Sequence, residues 1–166
     1  FIVTFSCVDS ENTIDTVLDY ETGAILRTIK DDPTNNYVLN SSEPDSQFSV
    51  MVEEQDEQDG DLLKQVNVYT YMRDLTPENG DSSTSDYVYV STVDGSAFST
   101  GPVGLPRGAV TMTFGAAASA MGLSSDDYLP GDVFVVGLEV ELTDGRKFDW
   151  TSAAGIITGG FFSSPF

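Results

Sequence analysis

Six carboxylates crowd into nine residues, Glu53-Glu54-Gln55-Asp56-Glu57-Gln58-Asp59-Gly60-Asp61. Clustered carboxylate oxygens are what a hard cation such as calcium takes, six to eight at a time. Glu53, Glu54, Asp56, Asp59 and Asp61 are therefore candidate calcium ligands. The twelve-residue calcium-loop pattern does not fit: with Gly60 in sixth place, the first position is Gln55 and the twelfth is Val66. An acidic run is more often a hydrated surface segment. The stretch is read as a solvated loop between two strands, and calcium is the one cofactor it leaves open.

Two further carboxylate pairs, Asp126-Asp127 and Glu139 with Glu141, have the residue types of glycoside hydrolysis. That chemistry needs two carboxyls placed across a cleft, one of them with a raised pKa. Glu139 and Glu141 alternate along one strand and so share a face, as solvent-facing residues do. No cleft is signalled. The chain has no histidine, which removes Ser-His-Asp and Cys-His nucleophilic systems and histidine-ligated zinc. Its one cysteine, Cys7, can form neither an internal disulfide nor a metal site by itself. No catalytic residue is assigned, and the chain is read as non-enzymatic.

Tyr69, Tyr71, Tyr87 and Tyr89 fall on the outer faces of two alternating segments. If those strands pair, the four rings form a cross-strand ladder. An open tyrosine surface could stack on sugar rings or on a protein partner; the competing reading is that a neighbouring strand or loop covers it. Trp150 is assigned to core or edge packing.

These residues must be positioned by strands. Residues 131–150 read GDVFVVGLEVELTDGRKFDW. Phe134, Val136, Leu138, Val140 and Leu142 recur at period two, the mark of a strand with one face on a core. Asp144-Gly145 is a strong hairpin signal, expected as a type I′ turn, with the return strand starting at Lys147. Shorter alternating runs lie at residues 24–29, 47–53, 66–72, 87–90 and 110–114. Phe48, Val50, Val66, Val68, Val88, Val110, Met112, Phe134, Val136, Leu138 and Val140 are the expected core. Residues 115–121 (GAAASAM) carry the one helical signal, alanine-rich with Gly122 as a stop, and are read as a crossover between sheets. Seven or eight short strands with turn signals between them, and one short helix, predict an antiparallel β-sandwich.

Length and charge set outer bounds. The chain has 166 residues, enough for one domain with a core. Seven basic residues against 27 acidic ones give a net charge of −20, which argues against nucleic acid, whose phosphates need clustered Lys and Arg. Residues 1–7 are read as the end of a signal peptide, residues 8–22 as a polar tether, and residues 23–166 as the sandwich domain, truncated at its C-terminus.

Three resemblances add expectations. The apolar run ending in Phe5-Ser6-Cys7, with acidic residues just after it, resembles the lipobox and export signal of Bacteroidota surface lipoproteins, which implies lipidation at Cys7. Tyr128-Leu129-Pro130-Gly131-Asp132-Val133-Phe134 resembles the Leu-x-Pro-Gly-x-x-Tyr element of fibronectin type III domains, with Phe134 where that family has its tyrosine. This implies an immunoglobulin/fibronectin III-like sandwich. The order GAILRTI, FSVMVEEQDEQDGDLL, VNVYTYMRD, GLPRGAVTMTF, GDVFVVGLEVELTDGRKF and GGFFSSPF resembles uncharacterised surface lipoproteins encoded beside SusC/SusD-type uptake systems. It implies a lipid-anchored accessory or binding module on the extracellular face of the outer membrane, with uptake proteins, other surface proteins or a glycan as partners. That family has no established catalytic residues to carry over. The alternative is an extracellular structural or adhesive subunit that self-assembles by strand exchange and is stabilised by calcium. Asp15-Thr16-Val17 also resembles a short O-glycosylation pattern of the same phylum.

Overall fold

The computed structural model describes residues 23–152. Eight strands form two antiparallel four-stranded sheets. In chain order they are β1 (Ile25–Thr28), β2 (Gln47–Gln55), β3 (Leu63–Arg73), β4 (Val88–Asp94), β5 (Ser99–Thr100), β6 (Pro106–Thr113), β7 (Val133–Leu142) and β8 (Lys147–Phe148). One sheet runs β1-β2-β6-β5 and the other β4-β3-β7-β8. A helix, α1 (Phe114–Met121), links β6 of the first sheet to β7 of the second. The chain is therefore mostly β, a sandwich of two antiparallel sheets.

Period-two alternation places the core. Leu26, Val50, Val52, Val66, Val68, Val110, Met112, Leu138, Val140 and Leu142 are buried in one cluster between the sheets. Thr70 is buried among them, and its hydroxyl donates to the Val135 carbonyl at 3.0 Å, so this polar group is satisfied. Phe48, Phe134 and Val136 belong to the expected core but are only partly buried, because they border a cleft. Val88 is also only partly buried and stands outside the buried cluster.

Local chemistry explains three boundaries. Thr113 caps α1 by accepting from the Ala116 N–H at 3.2 Å, and Gly122 ends it in the left-handed region at φ 71°. The helix starts one residue before the expected span, since the buried Phe114 packs against Tyr128 and Phe134. The β7–β8 turn is not type I′, which needs positive φ at both central residues. Only Gly145 is left-handed (φ 91°), with Gly145 N–H donating to Leu142 O and Leu142 N–H to Arg146 O. That is a type I turn closed by a glycine bulge, the usual three-residue hairpin. In β4 the register with β3 shifts between Val68/Ser91 and Tyr69/Tyr89. Val90 is the extra residue, and this bulge lets both Val90 and Val93 reach the core while Tyr89 stays outside.

Candidate binding face

The outer face of the β4-β3-β7-β8 sheet carries the predicted tyrosines. β3 and β4 pair, with Tyr69 opposite Tyr89, so the condition for the tyrosine ladder is met. Their rings meet edge to face at 5.8 Å, and Tyr71 meets Tyr87 the same way at 4.9 Å. Trp150, assigned from sequence to core or edge packing, joins this outer cluster. It stacks on Tyr87 at 4.0 Å and meets Tyr69 edge-on at 5.7 Å. The residue that allows this is Gly137 of β7. A side chain there would put its Cβ 2.6 Å from Tyr87 Cε1 and 2.8 Å from Trp150 Cζ3. A glycine inside a strand of bulky residues signals such close approach, and it is the sequence feature that could have located the cluster.

The tyrosines are unequally covered. Tyr69, Tyr71, Tyr87 and Trp150 are half-buried against one another, while Tyr89 is 51% exposed. Desolvation, with Glu139 beside Tyr69 and Tyr71 beside Tyr87, pushes the Tyr69 and Tyr87 hydroxyls above the usual phenol range. They remain protonated donors at neutral pH.

A polar network borders the rings. Glu139 Oε1 accepts from Asn67 Nδ2 at 2.8 Å, from Lys147 Nζ at 3.1 Å and from the Tyr69 hydroxyl at 3.4 Å. Thr92 Oγ1 donates to Asn67 Oδ1 at 2.6 Å and lies 2.9 Å from the Tyr89 hydroxyl. Glu141 binds Lys64 at 2.5 Å and Gln65 at 3.1 Å, and Lys64 together with Lys147 holds its carboxyl below the usual range. Glu139 and Glu141 do share a face, but as ion-paired, largely covered groups and not as free solvent-facing ones. Asp127 is tied to Ser124, whose N–H and hydroxyl it accepts at 2.7 and 2.6 Å, and this holds its carboxyl low. A glycosidase acid needs the opposite shift in an open cleft.

The acidic stretch is not a single loop. β2 extends to Gln55, so Glu53 and Glu54 are strand residues on opposite faces. Glu53 points outward yet is 1% exposed. It stands in register between Arg27 of β1 and Arg107 of β6, binding Arg27 Nη2 and, at 2.7 Å, Arg107 Nη2. Glu54 continues the inward series Phe48, Val50, Val52 and is fully buried; neither carboxyl oxygen has a hydrogen-bond partner among the described residues. Burial, with Asp56 next in line, raises its pKa to about 8, so it is protonated at neutral pH. Asp56 is buried as a loop cap, accepting from the N–H groups of Gln58, Gly60 and Leu62 at 2.7, 2.9 and 2.9 Å. Asp59 and Asp61 are exposed. The five candidate ligands are thus divided among an ion-paired outer site, the core, a loop cap and solvent. Among the described residues no group of three or more acidic or cysteine side chains is placed to hold a metal ion.

Cys7 and Asp15-Thr16-Val17 lie outside the described residues. No described helix is long and apolar enough to cross a membrane. Compared with protein-family models, with curated proteins and with solved structures, the chain matches none of them.

Proposed function

We propose that this chain is a non-enzymatic, extracellular binding module whose binding face is the outer surface of β4-β3-β7-β8. The observation that carries the reading is the aromatic cluster of Tyr69, Tyr71, Tyr87, Tyr89 and Trp150, flanked by Asn67, Thr92, Glu139 and Lys147. Ring faces beside hydrogen-bonding groups suit a sugar ring, which has an apolar face and a polar rim. The ligand class assigned is therefore a glycan, with the module serving an uptake system. The architecture assigned is immunoglobulin/fibronectin III-like: with β1, β2, β6 and β5 as strands A, B, E and D, and β4, β3, β7 and β8 as C′, C, F and G, the strand orders are those of that fold. Lipidation at Cys7 and an outer-membrane location complete the proposal on the strength of the lipobox-like sequence.

Affinity electrophoresis of the full chain in gels containing soluble polysaccharides tests the face. Retardation by at least one polysaccharide is expected, lost on Tyr89→Ala and retained on Arg27→Ala, which alters the opposite face. Retardation by none of a broad panel of neutral and acidic polysaccharides, or retardation unaffected by Tyr89→Ala and Trp150→Ala, overturns the assignment. Fractionation of cells expressing the complete precursor with Cys7→Ala tests the anchor, with loss of membrane association expected.

A further inference from the structure

The lysines that border the aromatic face are already paired with carboxylates. Lys147 Nζ lies 3.1 Å from Glu139 Oε1 and 3.4 Å from Glu141 Oε2, and Lys64 Nζ lies 2.5 Å from Glu141 Oε1. Two lysines meet two glutamates, so the group as a whole carries no formal charge. Arg73 continues the outward series Asn67, Tyr69, Tyr71 at the end of β3, but the segment it enters carries Asp74, Glu78, Asp81 and Asp86. The molecule as a whole has a net charge of −20. An incoming polyanion is therefore repelled at long range, and beside the rings it meets ammonium groups that carboxylates have neutralised. Lys147 cannot exchange Glu139 for such a ligand without loss. The same Oε1 accepts from Asn67 Nδ2 at 2.8 Å, and Asn67 is buried. Moving the carboxylate away would strand that amide donor.

What the face does offer suits an uncharged partner. Tyr89 is its most open ring. Glu139 turns Oε1 to three donors, Asn67, Lys147 and Tyr69, and no hydrogen bond from a described residue ends on its Oε2. The side chain keeps 14% of its surface exposed. A neutral sugar supplies what is missing here: an apolar ring face to lie on Tyr89, and hydroxyls that donate to a carboxylate oxygen.

With the aromatic face taken as a glycan site, as assigned above, we propose that its ligand is an uncharged glycan, that Glu139 Oε2 accepts from one of the sugar hydroxyls, and that Glu139 and Glu141 together exclude acidic glycans by neutralising Lys147 and Lys64. Specificity is a difference between two affinities, and a site can enlarge it by what the wrong ligand meets. A uronate or sulfate group laid beside Tyr89 brings its charge next to Glu139, whereas a hydroxyl in the same place gains an acceptor. The two glutamates are thus the residues that set the glycan class, and the rings supply attraction common to all sugars.

The test is affinity electrophoresis of the full chain in two sets of gels, each compared with a gel lacking polysaccharide. One set holds neutral polymers (β-glucan, galactomannan, xylan and dextran) and the other holds polygalacturonate, alginate or carrageenan. Retardation by at least one neutral polymer and by none of the acidic ones is expected. Trp150 emission, titrated with the retarding polymer, should give a Kd that changes less than about twofold as salt is raised, since no charge pair joins ligand and protein. The double variant Glu139→Gln, Glu141→Gln releases both lysines. It should gain retardation by polygalacturonate or alginate, and high salt should abolish that gain; a role confined to holding the fold would not create binding to a new glycan class. Retardation of the wild-type chain by an acidic polymer overturns this inference and leaves the binding face standing, and that readout needs no variant. A folded double variant that gains no acidic binding also overturns it. Retardation of the wild-type chain by neither set removes the binding face itself, and this inference with it.

Discussion

The two outer faces of the sandwich bury their strand centres with opposite chemistry. At the centre of the β1-β2-β6-β5 face stands a carboxylate, Glu53, held between Arg27 and Arg107 and roofed by the segment around Gly101, where a Cβ would lie 3.1 Å from Glu53 Oε2. At the centre of the β4-β3-β7-β8 face stand aromatic rings laid over a glycine. The first arrangement matches acceptors to donors among its own side chains, and Glu53 is inaccessible to a ligand. The second keeps Tyr89 open to solvent and its polar rim within reach. Charge pairs are specific and directional, so a face built from them becomes self-contained; stacked rings retain an attractive surface wherever one ring face is uncovered. This difference is why binding is assigned to the aromatic face.

Removing the central group of the charged face should have the largest effect. Glu53→Ala leaves Arg107, itself mostly covered, without its carboxylate. Breaking a buried pair on one side costs about 3–5 kcal/mol, measured by urea unfolding at neutral pH. A cost below about 1 kcal/mol would mean that Glu53 behaves as an exposed surface ion pair does, and the contrast between the faces would collapse. Arg27→Ala, which removes the more exposed partner, should cost less.

Glu54, one residue further along and on the other side of β2, gives the next effect. Its pKa is raised to about 8 in the fold from an ordinary value near 4.5. A raised carboxyl binds its proton more tightly in the folded state, so its contribution is fully present below about pH 4.5 and is lost as pH rises through about 8. Wild-type stability should fall across that window by up to ~1.4 kcal/mol per pH unit from this group. Glu54→Gln, which mimics the protonated form, should match the wild type near pH 4 and exceed it above pH 8. The difference between the two proteins removes the background from the depressed carboxylates, such as Asp127 and Asp132, whose stabilisation disappears only at acid pH. Parallel curves for the two proteins between pH 4.5 and 8.5 would refute the inward, unpaired placement of Glu54.

On the aromatic face the sensitive position is Gly137. Gly137→Ala forces Tyr87 or Trp150 to move, and overpacking of this kind costs about 1–3 kcal/mol. Trp150 is the sole tryptophan, so its emission reports the displacement directly. An unchanged spectrum and midpoint would place the indole off the sheet and remove the basis of the binding face.

Much of this arrangement was legible in the sequence, and the exceptions share a cause. The alternations in β2, β3 and β7 fix which residues face inward, because a strand has only two faces. The tyrosine ladder followed once β3 and β4 were paired. The alternating run ends at Glu53, and Glu54 and Gln55 read as loop, because charge is a poor strand signal. What holds them in β2 is long-range, the pairing of Glu53 with Arg27 and Arg107 on strands distant in sequence. The inward phase of Phe48, Val50 and Val52 nevertheless continues to position 54. Trp150 was placed in the core or at an edge because its position outside the sheet depends on Gly137, a contact across two strands that period-two reasoning does not contain.

The smallest expected effect sharpens the contrast most economically, since it is zero. Addition of EDTA to the full chain should leave the melting temperature unchanged. Calcium takes six to eight oxygens around one point, whereas the acidic stretch sends its carboxylates to different places. Glu53 is committed to two arginines, and Glu54 is enclosed in the core as a neutral acid. Asp56 has its oxygens turned to three backbone N–H groups of its own loop. Recruiting these groups to one ion would break the triad, ionise a buried acid and uncap the loop, each at a cost to the fold. A bound ion at a hundred times its dissociation constant would instead add about 2.7 kcal/mol. An EDTA-sensitive melt, abolished by Asp59→Asn with Asp61→Asn, would show that the loop reorganises around calcium, and that this end of the sandwich is a cation site and not a self-satisfied one.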